Sequence, residues 1–214
     1  MSDGYSVENS IVTKEVFLRL LQEVHNVIDW TDAEREAVSR HFAEQIEVFQ
    51  EAMAPLMAQI AIWRQSGVKA NLNNLDLPSL ITFRGGRCVL QEGYGDPSAR
   101  VQRLCECVGA DAAPMANRDT MELAFRESSG PSQLTRGKYL IWFLAMLANE
   151  VHAKIAMFVA SYNTPPKTRM VFSPKNVLIV AAPRARSPKS LRDFLEGTYI
   201  RFVATRDAAS QPAV

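Results

Sequence analysis

The sequence has few of the residues, and none of the short motifs, that carry out chemistry in enzymes and metal sites. Its 214 residues include three cysteines and three histidines. We find no G-x-S-x-G nucleophile elbow, no Walker phosphate loop, no G-x-G-x-x-G fingerprint and no zinc-ligand spacing. Paired Glu-x-x-His motifs, which a di-iron helical bundle requires, are also missing. We therefore expect no metal and no cofactor, and we favour a binding protein over an enzyme.

Signals for disulfides and for export are equally scarce. Cys105 and Cys107 are two residues apart in a predicted helix. Side chains at that spacing point about 200° from each other, which suits neither a disulfide nor a shared metal. Near the N-terminus, Asp3 and Glu8 stand where a signal peptide has basic residues, and no apolar core follows them. We expect an intracellular, non-secreted protein located in the cytoplasm.

The longest apolar stretch covers residues 139–162 and is long enough to be tested as a membrane span. Its second half contains Glu150 and Lys154, and each charge near the centre of a bilayer costs about 2.5–3.5 kcal/mol. The sequence therefore predicts a buried core helix with one polar stripe and no membrane association. Asn149, Glu150 and His152 in this stripe are interpreted as a satisfied core network or a contact with another subunit, with an acid–base site as the alternative.

Helix signals dominate a chain whose hydrophobic fraction of 47% is sufficient for a core. Thr31 and Glu34 have the spacing of a capping box, which predicts a helix start. Pro55 lies inside the helical pattern that follows, and its missing amide predicts a kink or a split. A long central helix is predicted at about 136–161, ended by a pair of prolines.

Strand signals are short and fall in two places. The glycine pair at 85–86 separates two β-prone runs and predicts a hairpin. A second hairpin is predicted from the runs 169–172 and 177–182. A short helix stopped by Gly197 and a final strand over 198–205 complete a β-α-β-like C-terminal segment. The expected fold class is α+β, predominantly helical, with a helical core around the central helix and two short β-hairpins.

The chain divides into four predicted segments. They are a flexible N-terminal end over 1–12, a helical body with one hairpin over 13–163, a basic C-terminal segment packed on the body over 164–205, and a flexible tail over 206–214. The short ends leave one continuous body, so we expect a single compact unit with one attached basic segment.

The net charge of +1 conceals a strong division along the chain. From residue 164 to the end there are nine basic and three acidic residues, whereas the preceding part has 15 basic and 20 acidic residues. A segment of this kind attracts polyanions. Seven basic residues of the segment are the candidate nucleic-acid or anion-binding residues: Lys167, Arg169, Lys175, Arg184, Arg186, Lys189 and Arg192.

The densest part of the basic segment spans residues 183–189. The predicted elements place it between the end of a strand and the first turn of a helix. The first turn of a helix has unpaired backbone amides, and the planar arginine fork matches two phosphate oxygens at once. Phosphate is therefore the anion that we expect Arg184 and Arg186 to bind.

Three functions follow from these observations. The first is a nucleic-acid-binding, self-associating protein of coat or nucleoprotein type, with single-stranded nucleic acid and further copies of itself as partners. The second is a helical interaction adaptor or regulatory module whose basic end contacts an acidic protein. The third is an enzyme that acts on a phosphate-bearing substrate held at Arg184 and Arg186.

The C-terminal part of the chain has an order of features seen in one group of viral proteins. Gly130-Pro131, a long apolar helix, Thr164-Pro165-Pro166 and a basic segment follow one another. This order loosely resembles coat proteins of flexuous filamentous plant viruses, which implies binding of single-stranded RNA and assembly. The aromatic-rich Phe-Asp-Phe-Phe type motif expected after the prolines is absent, and the chain is not assigned to that family.

Overall fold

The computed structural model describes residues 7–127, 135–187, 189–200, 202 and 203. Of these described residues, 64% are helical, and they include one two-stranded antiparallel sheet. These features confirm the predicted fold class, a predominantly helical α+β protein.

Seven α-helices and two strands make up the regular structure of the described residues. The helices are α1 Lys14–Glu23, α2 Asp32–Gln65, α3 Pro97–Val108, α4 Met115–Glu127, α5 Gly137–Ala153, α6 Val177–Ala181 and α7 Lys189–Leu195. The strands are β1 Ile81–Arg84 and β2 Arg87–Leu90. Short 3-10 turns cover Val7–Ser10, Leu72–Asn74, Leu77–Ser79, Ile155–Met157 and Ala182–Arg184, and a π-helical turn covers Glu196–Ile200.

The core forms where α2 and α5 meet. The ring centroids of Phe49 in α2 and Phe143 in α5 are 4.9 Å apart, and Phe42 lies 4.8 Å from Phe17 of α1. All four rings are buried. Because α5 is apolar on nearly every side, it must be covered all round. Helices α1 and α6 and the hairpin pack against it, and the rings of Phe42 and Phe49 bring α2 into contact with it.

The start of α2 is the predicted capping box. The Thr31 hydroxyl accepts a hydrogen bond from the Glu34 amide at 3.2 Å, and the Glu34 carboxylate accepts one from the Thr31 amide at 2.7 Å. From this start α2 continues through Pro55 to Gln65. The proline therefore does not split the helix. Pro55 is buried, as are the helix residues from Ala52 to Ile60 around it.

The hairpin predicted around the glycine pair is confirmed. Strands β1 and β2 pair in antiparallel register from Ile81 with Leu90 to Arg84 with Arg87. Gly85 and Gly86 have φ angles of +58° and +81°. A two-residue turn with both φ values positive matches the right-handed twist of the strands, which is why glycine is needed here.

The central helix is shorter than predicted. The expected helix at about 136–161 ends at Ala153 and is followed by the 3-10 turn Ile155–Met157. This tighter turn carries Phe158 to the ring of His41 on α2, with the centroids 4.8 Å apart. Neither α5 nor any other helix within the described ranges is both long and apolar enough to cross a membrane.

The second predicted hairpin is wrong. Residues 169–172 have irregular structure, and residues 177–181 form helix α6. An apolar run of this length suits either a strand or a helix, and burial distinguishes them here. Val177 and Ala181, one helical turn apart, are buried, whereas Ile179 between them is exposed. Only one side of this segment packs against the rest of the protein. A helix forms there because its backbone amides and carbonyls pair with each other and need no neighbouring strand.

The final predicted strand is also wrong. Residues 196–200 continue α7 as a π-helical turn that passes through Gly197, and residues 202 and 203 are helical. Residues 201, 204 and 205 of that prediction lie outside the described residues. A strand needs a neighbouring strand to pair its backbone groups, whereas a helix pairs them internally. Consequently the C-terminal segment is not β-α-β-like over the part that the structure describes.

The predicted ends are described only in part. Within the end predicted to be flexible over 1–12, Val7–Ser10 forms a 3-10 turn, and Ile11 and Val12 are buried. The tail predicted over 206–214 lies outside the described residues.

Candidate functional site

Four arginines from three parts of the chain line one cavity of about 360 Å³. Arg19 comes from α1, Arg35 from the start of α2, and Arg184 and Arg186 from the segment after α6. We call this feature the arginine cavity. The remaining described lining residues are Ser10, Thr13, Glu15, Val16 and Leu18.

Arg184 is the fixed member of the arginine cavity. Its Nη1 donates a hydrogen bond to the Val180 carbonyl at 2.6 Å, and its Nε lies 2.8 Å from a carboxylate oxygen of Glu23. The Arg184 carbonyl in turn accepts a hydrogen bond from Nη1 of Arg19 at 3.2 Å. These contacts fasten the basic segment to α1 and hold two arginines side by side.

Further hydrogen bonds bring the basic segment to this place. The Lys167 carbonyl accepts a hydrogen bond from Asn26 Nδ2 at 2.5 Å, and the Arg169 amide donates to the Val24 carbonyl at 3.0 Å. In both contacts the backbone of the basic segment is used, so the side chains of Lys167 and Arg169 remain exposed.

Asn149 of α5 clamps the same segment farther along. Its Nδ2 donates to the Phe172 carbonyl at 2.7 Å, and its Oδ1 accepts from the Phe172 amide at 2.9 Å. Phe172 is buried beneath this pair of bonds. The basic segment is thus anchored at the end of α1 and on α5 before it reaches the arginine cavity.

The structure brings together two of the seven predicted site residues. Arg184 and Arg186 share the arginine cavity. The other five are exposed and are not among its described lining residues: Lys167, Arg169, Lys175, Lys189 and Arg192. The predicted anion site at a strand-to-helix junction is also corrected, because helix α6 and a 3-10 turn precede residues 185–187 in place of a strand.

Sequence reasoning missed Arg19 and Arg35. Arg19 and Arg184 are 165 residues apart, and no short motif connects positions so distant. One signal was present in the sequence: Arg19 and Arg35 are charged positions within helices that also bury apolar residues, and both are exposed in the structure. That signal marks exposure, but it does not indicate which helices meet.

The charge of the arginine cavity is positive on balance. Against four arginines, the described lining contains one carboxylate, Glu15, and a second carboxylate, Glu23, pairs with Arg184. Arg19, Arg35 and Arg186 are exposed, and none of them forms an ion pair with a carboxylate of the described residues. Each guanidinium carries five N–H donors in a planar fork, which suits phosphate oxygens. The arrangement therefore has the donors and the charge to hold an anion.

The polar stripe on α5 is a structural network. Oε1 of Glu150 accepts a hydrogen bond from the Gly86 amide at 3.2 Å, which holds the hairpin turn. Nε2 of His152 donates to the Pro166 carbonyl at 2.8 Å. Each side chain, like Asn149, thus contacts backbone of a different segment. This matches the interpretation of the cluster as a satisfied core network.

His25 is the one buried histidine among the described residues. Its ring lies 4.4 Å from the ring of His152 and 4.6 Å from that of Phe172, measured between centroids. Burial, together with the neighbouring His152, lowers the pKa of His25 to about 3. A histidine with so low a pKa is neutral at physiological pH and packs as an aromatic ring.

The described residues contain no group of three or more His, Cys, Asp and Glu side chains arranged to hold a metal ion. No protein-family model, curated protein or solved structure matches the chain. The functional assignment therefore depends on the site itself.

Proposed function

We propose that the protein binds single-stranded nucleic acid through the arginine cavity and self-associates, as coat proteins and nucleoproteins do. The observation that supports this most directly is the convergence of four arginines from α1, α2 and the basic segment on one cavity. Arginine forks bind phosphate in pairs of hydrogen bonds, and a cluster of them raises the local concentration of a polyanion.

A recessed site favours a single strand over a duplex. A flexible strand can turn one phosphate into a cavity of about 360 Å³ while its neighbours stay outside. Double-stranded nucleic acid is stiff over roughly 50 nm and presents its phosphates on a convex rod. The exposed Lys167, Arg169 and Lys175 are available to contact phosphates beyond the cavity.

Salt-dependent binding tests the proposal. A fluorescent single-stranded RNA is titrated with the wild type and with the variant Arg19→Ala/Arg35→Ala/Arg186→Ala, all three exposed in the structure. Each phosphate contact on a single strand contributes about 0.7 to the slope of log affinity against log salt. We expect the triple variant to lose at least about tenfold in affinity and about 2 in that slope.

The matched control removes the same charge elsewhere. Arg40, Arg84 and Arg87 are exposed and are not described lining residues of the arginine cavity. Their triple alanine variant is expected to bind nearly as tightly as the wild type. If the two triple variants bind equally, the arginine cavity is not the nucleic-acid site.

A second titration separates a nucleic-acid site from a site for a small anion. A nucleoside monophosphate offers one phosphate, whereas a strand engages several and releases more counterions. The strand is expected to bind at least about tenfold more tightly than the monophosphate. Equal affinities would favour an enzyme or regulator that binds a small phosphate-bearing ligand.

A further inference from the structure

The C-terminal helix exposes an apolar stripe. In α7 and the π-helical turn after it, Leu191, Phe194, Leu195, Tyr199 and Ile200 are between 43% and 66% exposed. At 100° per residue, the first three lie within an arc of about 100°. A helix this short is marginal in water, and its stability depends on packing of its apolar face. The stripe is therefore suited to a partner surface.

The body carries a groove of matching character. It lies between α2, the β1–β2 hairpin, α3 and α4 and has a volume of about 790 Å³. Its floor contains the buried Ala52, Ile81 and Cys88, and its walls contain Val48 and Val89, which are 46% and 41% exposed. We call it the acidic-rimmed groove because four glutamates also line it: Glu44, Glu47, Glu51 and Glu122.

Two of these glutamates form ion pairs within the described residues, and the other two do not. Arg126 forms ion pairs with both Glu51 and Glu122. No ion pair within the described residues involves Glu44 or Glu47, which lie one helical turn apart on α2. The available acidic edge of the groove therefore fits a ligand that is apolar and carries a positive charge.

The C-terminal helix meets both requirements. Arg192 lies about 60° beyond Leu195, at the edge of the apolar stripe, whereas Lys189, Asp193 and Glu196 lie farther round the helix. An arginine at the edge of a buried stripe can reach a carboxylate on the rim of a groove. Helix-in-groove binding uses this pattern of apolar anchors at positions i, i+3 and i+4.

We propose that the helix at residues 189–200 of one copy binds in the acidic-rimmed groove of a second copy. In the folded chain the helix keeps its stripe exposed and the groove remains open, so each copy offers both halves of the contact. The proposal rests on the self-association part of the proposed function and is independent of the arginine cavity.

Such a contact is directional. The helix and the groove are different surfaces, so a bound pair of copies still has one free helix, on one copy, and one free groove, on the other. Heterologous contacts of this type produce closed rings or open filaments, not isolated two-fold dimers. The protein is therefore expected to form assemblies whose mass increases with concentration.

Mixing full-length variants tests the contact in the absence of nucleic acid. Phe194→Asp/Leu195→Asp blocks the helix, and Val48→Lys blocks the groove and repels Arg192; all three positions are exposed. Light scattering is measured from about 1 to about 200 µM, a range suited to a one-helix interface. The wild type should gain mass, each variant alone should stay monomeric, and the mixture should form a two-chain complex.

The control and the charge-swap variants complete the test. Ile179→Asp changes an apolar residue that is 74% exposed on α6, outside both surfaces, and should leave assembly unchanged. Arg192→Glu should weaken assembly at least about fivefold, and Glu47→Arg in the partner copy should restore it. Circular dichroism checks that every variant is folded.

Three results would overturn the proposal: a wild type that stays monomeric at the highest concentration, blocked variants that still assemble, or a mixture of blocked variants that does not associate. Nucleic-acid binding does not enter the measurement. Failure here therefore leaves the arginine cavity as a binding site, and failure of RNA binding leaves this contact standing.

Discussion

Individual side chains in this protein connect segments that are distant in the sequence. His25 is an example, because its buried ring connects the chain just after α1 to His152 on α5 and to Phe172 in the basic segment. The His25 ring is neutral at physiological pH, since burial and His152 lower the pKa of His25 from 6.5 to about 3. The carbonyl groups of Met170 and Ala148 act in the opposite direction, but they do not outweigh burial.

This shift predicts a loss of stability in acid. Between the pKa of about 3 in the folded chain and 6.5 in the unfolded chain, the unfolded state binds more protons at His25. The free energy of unfolding should therefore fall as pH is lowered through this range, by up to ~1.4 kcal/mol per pH unit. In urea titrations, His25→Phe should flatten the dependence on pH. Parallel curves for the two proteins would contradict the assignment.

The glycine pair of the hairpin turn gives a second comparison. At Gly86, an added Cβ would lie 3.0 Å from the Phe158 ring, at a φ of +81°. At Gly85, φ is +58° and nothing lies within 4 Å of that position. Gly86→Ala should cost roughly 2–4 kcal/mol of unfolding free energy, from backbone strain and overpacking. Gly85→Ala should cost only about 1 kcal/mol. Equal losses would mean that Phe158 does not restrict the turn.

Whole helices depend on how their ends are satisfied. The Glu34 carboxylate completes the capping box of α2 and also accepts a hydrogen bond from the Ala160 amide at 2.7 Å. These amide donors lower the pKa of Glu34, with the Thr31 amide the strongest. One carboxylate thus fixes the start of α2 and the chain that follows α5.

Removal of the cap tests its contribution. Thr31→Ala loses the oxygen that accepts from the Glu34 amide and should cost about 1 kcal/mol of unfolding free energy. Thr31→Ser retains the hydroxyl that accepts from the Glu34 amide and donates to the Glu34 carboxylate, and it should remain within a few tenths of a kcal/mol of the wild type. Chemical denaturation measures both. A similar loss in the two variants would indicate that packing of Thr31, not its cap, stabilises the helix.

The clamp on Phe172 controls the attachment of the basic segment to α5. Asn149→Leu removes both hydrogen bonds and leaves the Phe172 amide and carbonyl unpaired. The expected loss is about 2 kcal/mol, with much faster hydrogen exchange at the Phe172 amide. Asn149→Asp keeps an oxygen that accepts from the Phe172 amide, but its carboxylate repels the Phe172 carbonyl oxygen. The protection of the Phe172 amide from exchange should therefore be intermediate. Unchanged exchange in both variants would show that the segment is held elsewhere.

For the molecule as a whole, the unequal charge along the chain has a structural counterpart. The basic segment contributes Arg184 and Arg186 to the arginine cavity, and α2 and α4 contribute the glutamates of the acidic-rimmed groove. If the two proposals are correct, one chain has a site for a polyanion and a site for the helix of its neighbour. A protein with both sites binds a strand cooperatively, because neighbours on the strand also contact each other.

The two sites should therefore separate by mutation. Arg19→Ala/Arg35→Ala/Arg186→Ala should weaken RNA binding while the concentration dependence of mass stays unchanged. Phe194→Asp/Leu195→Asp should leave binding to a strand that holds one copy unchanged, but remove cooperativity on a strand that holds several. Titrations of short and long strands measure this difference. If either variant lost both RNA binding and self-association, the arginine cavity and the helix–groove contact would not be independent sites.

Local chemistry explains which predictions succeeded. The capping box at Thr31 and the hairpin turn at Gly85 and Gly86 are decided by residues within four positions of each other. The apolar run at 177–181 is different, because a strand and a helix both bury such a run. Helix α6 forms because α1 and α5 offer its Val177 and Ala181 face a surface and no strand lies beside it in the described residues.

The candidate site divides in the same way. Composition and charge alone predicted a basic C-terminal segment with Arg184 and Arg186 as phosphate-binding residues, and phosphate binding by them stays a prediction. The fold places Arg19 and Arg35 in the same cavity as Arg184 and Arg186. The other five predicted residues are not among its described lining, because a site is formed by side chains that meet in space. Sequence neighbours share a helix turn or a hairpin, whereas partners 165 residues apart meet only when the core has packed.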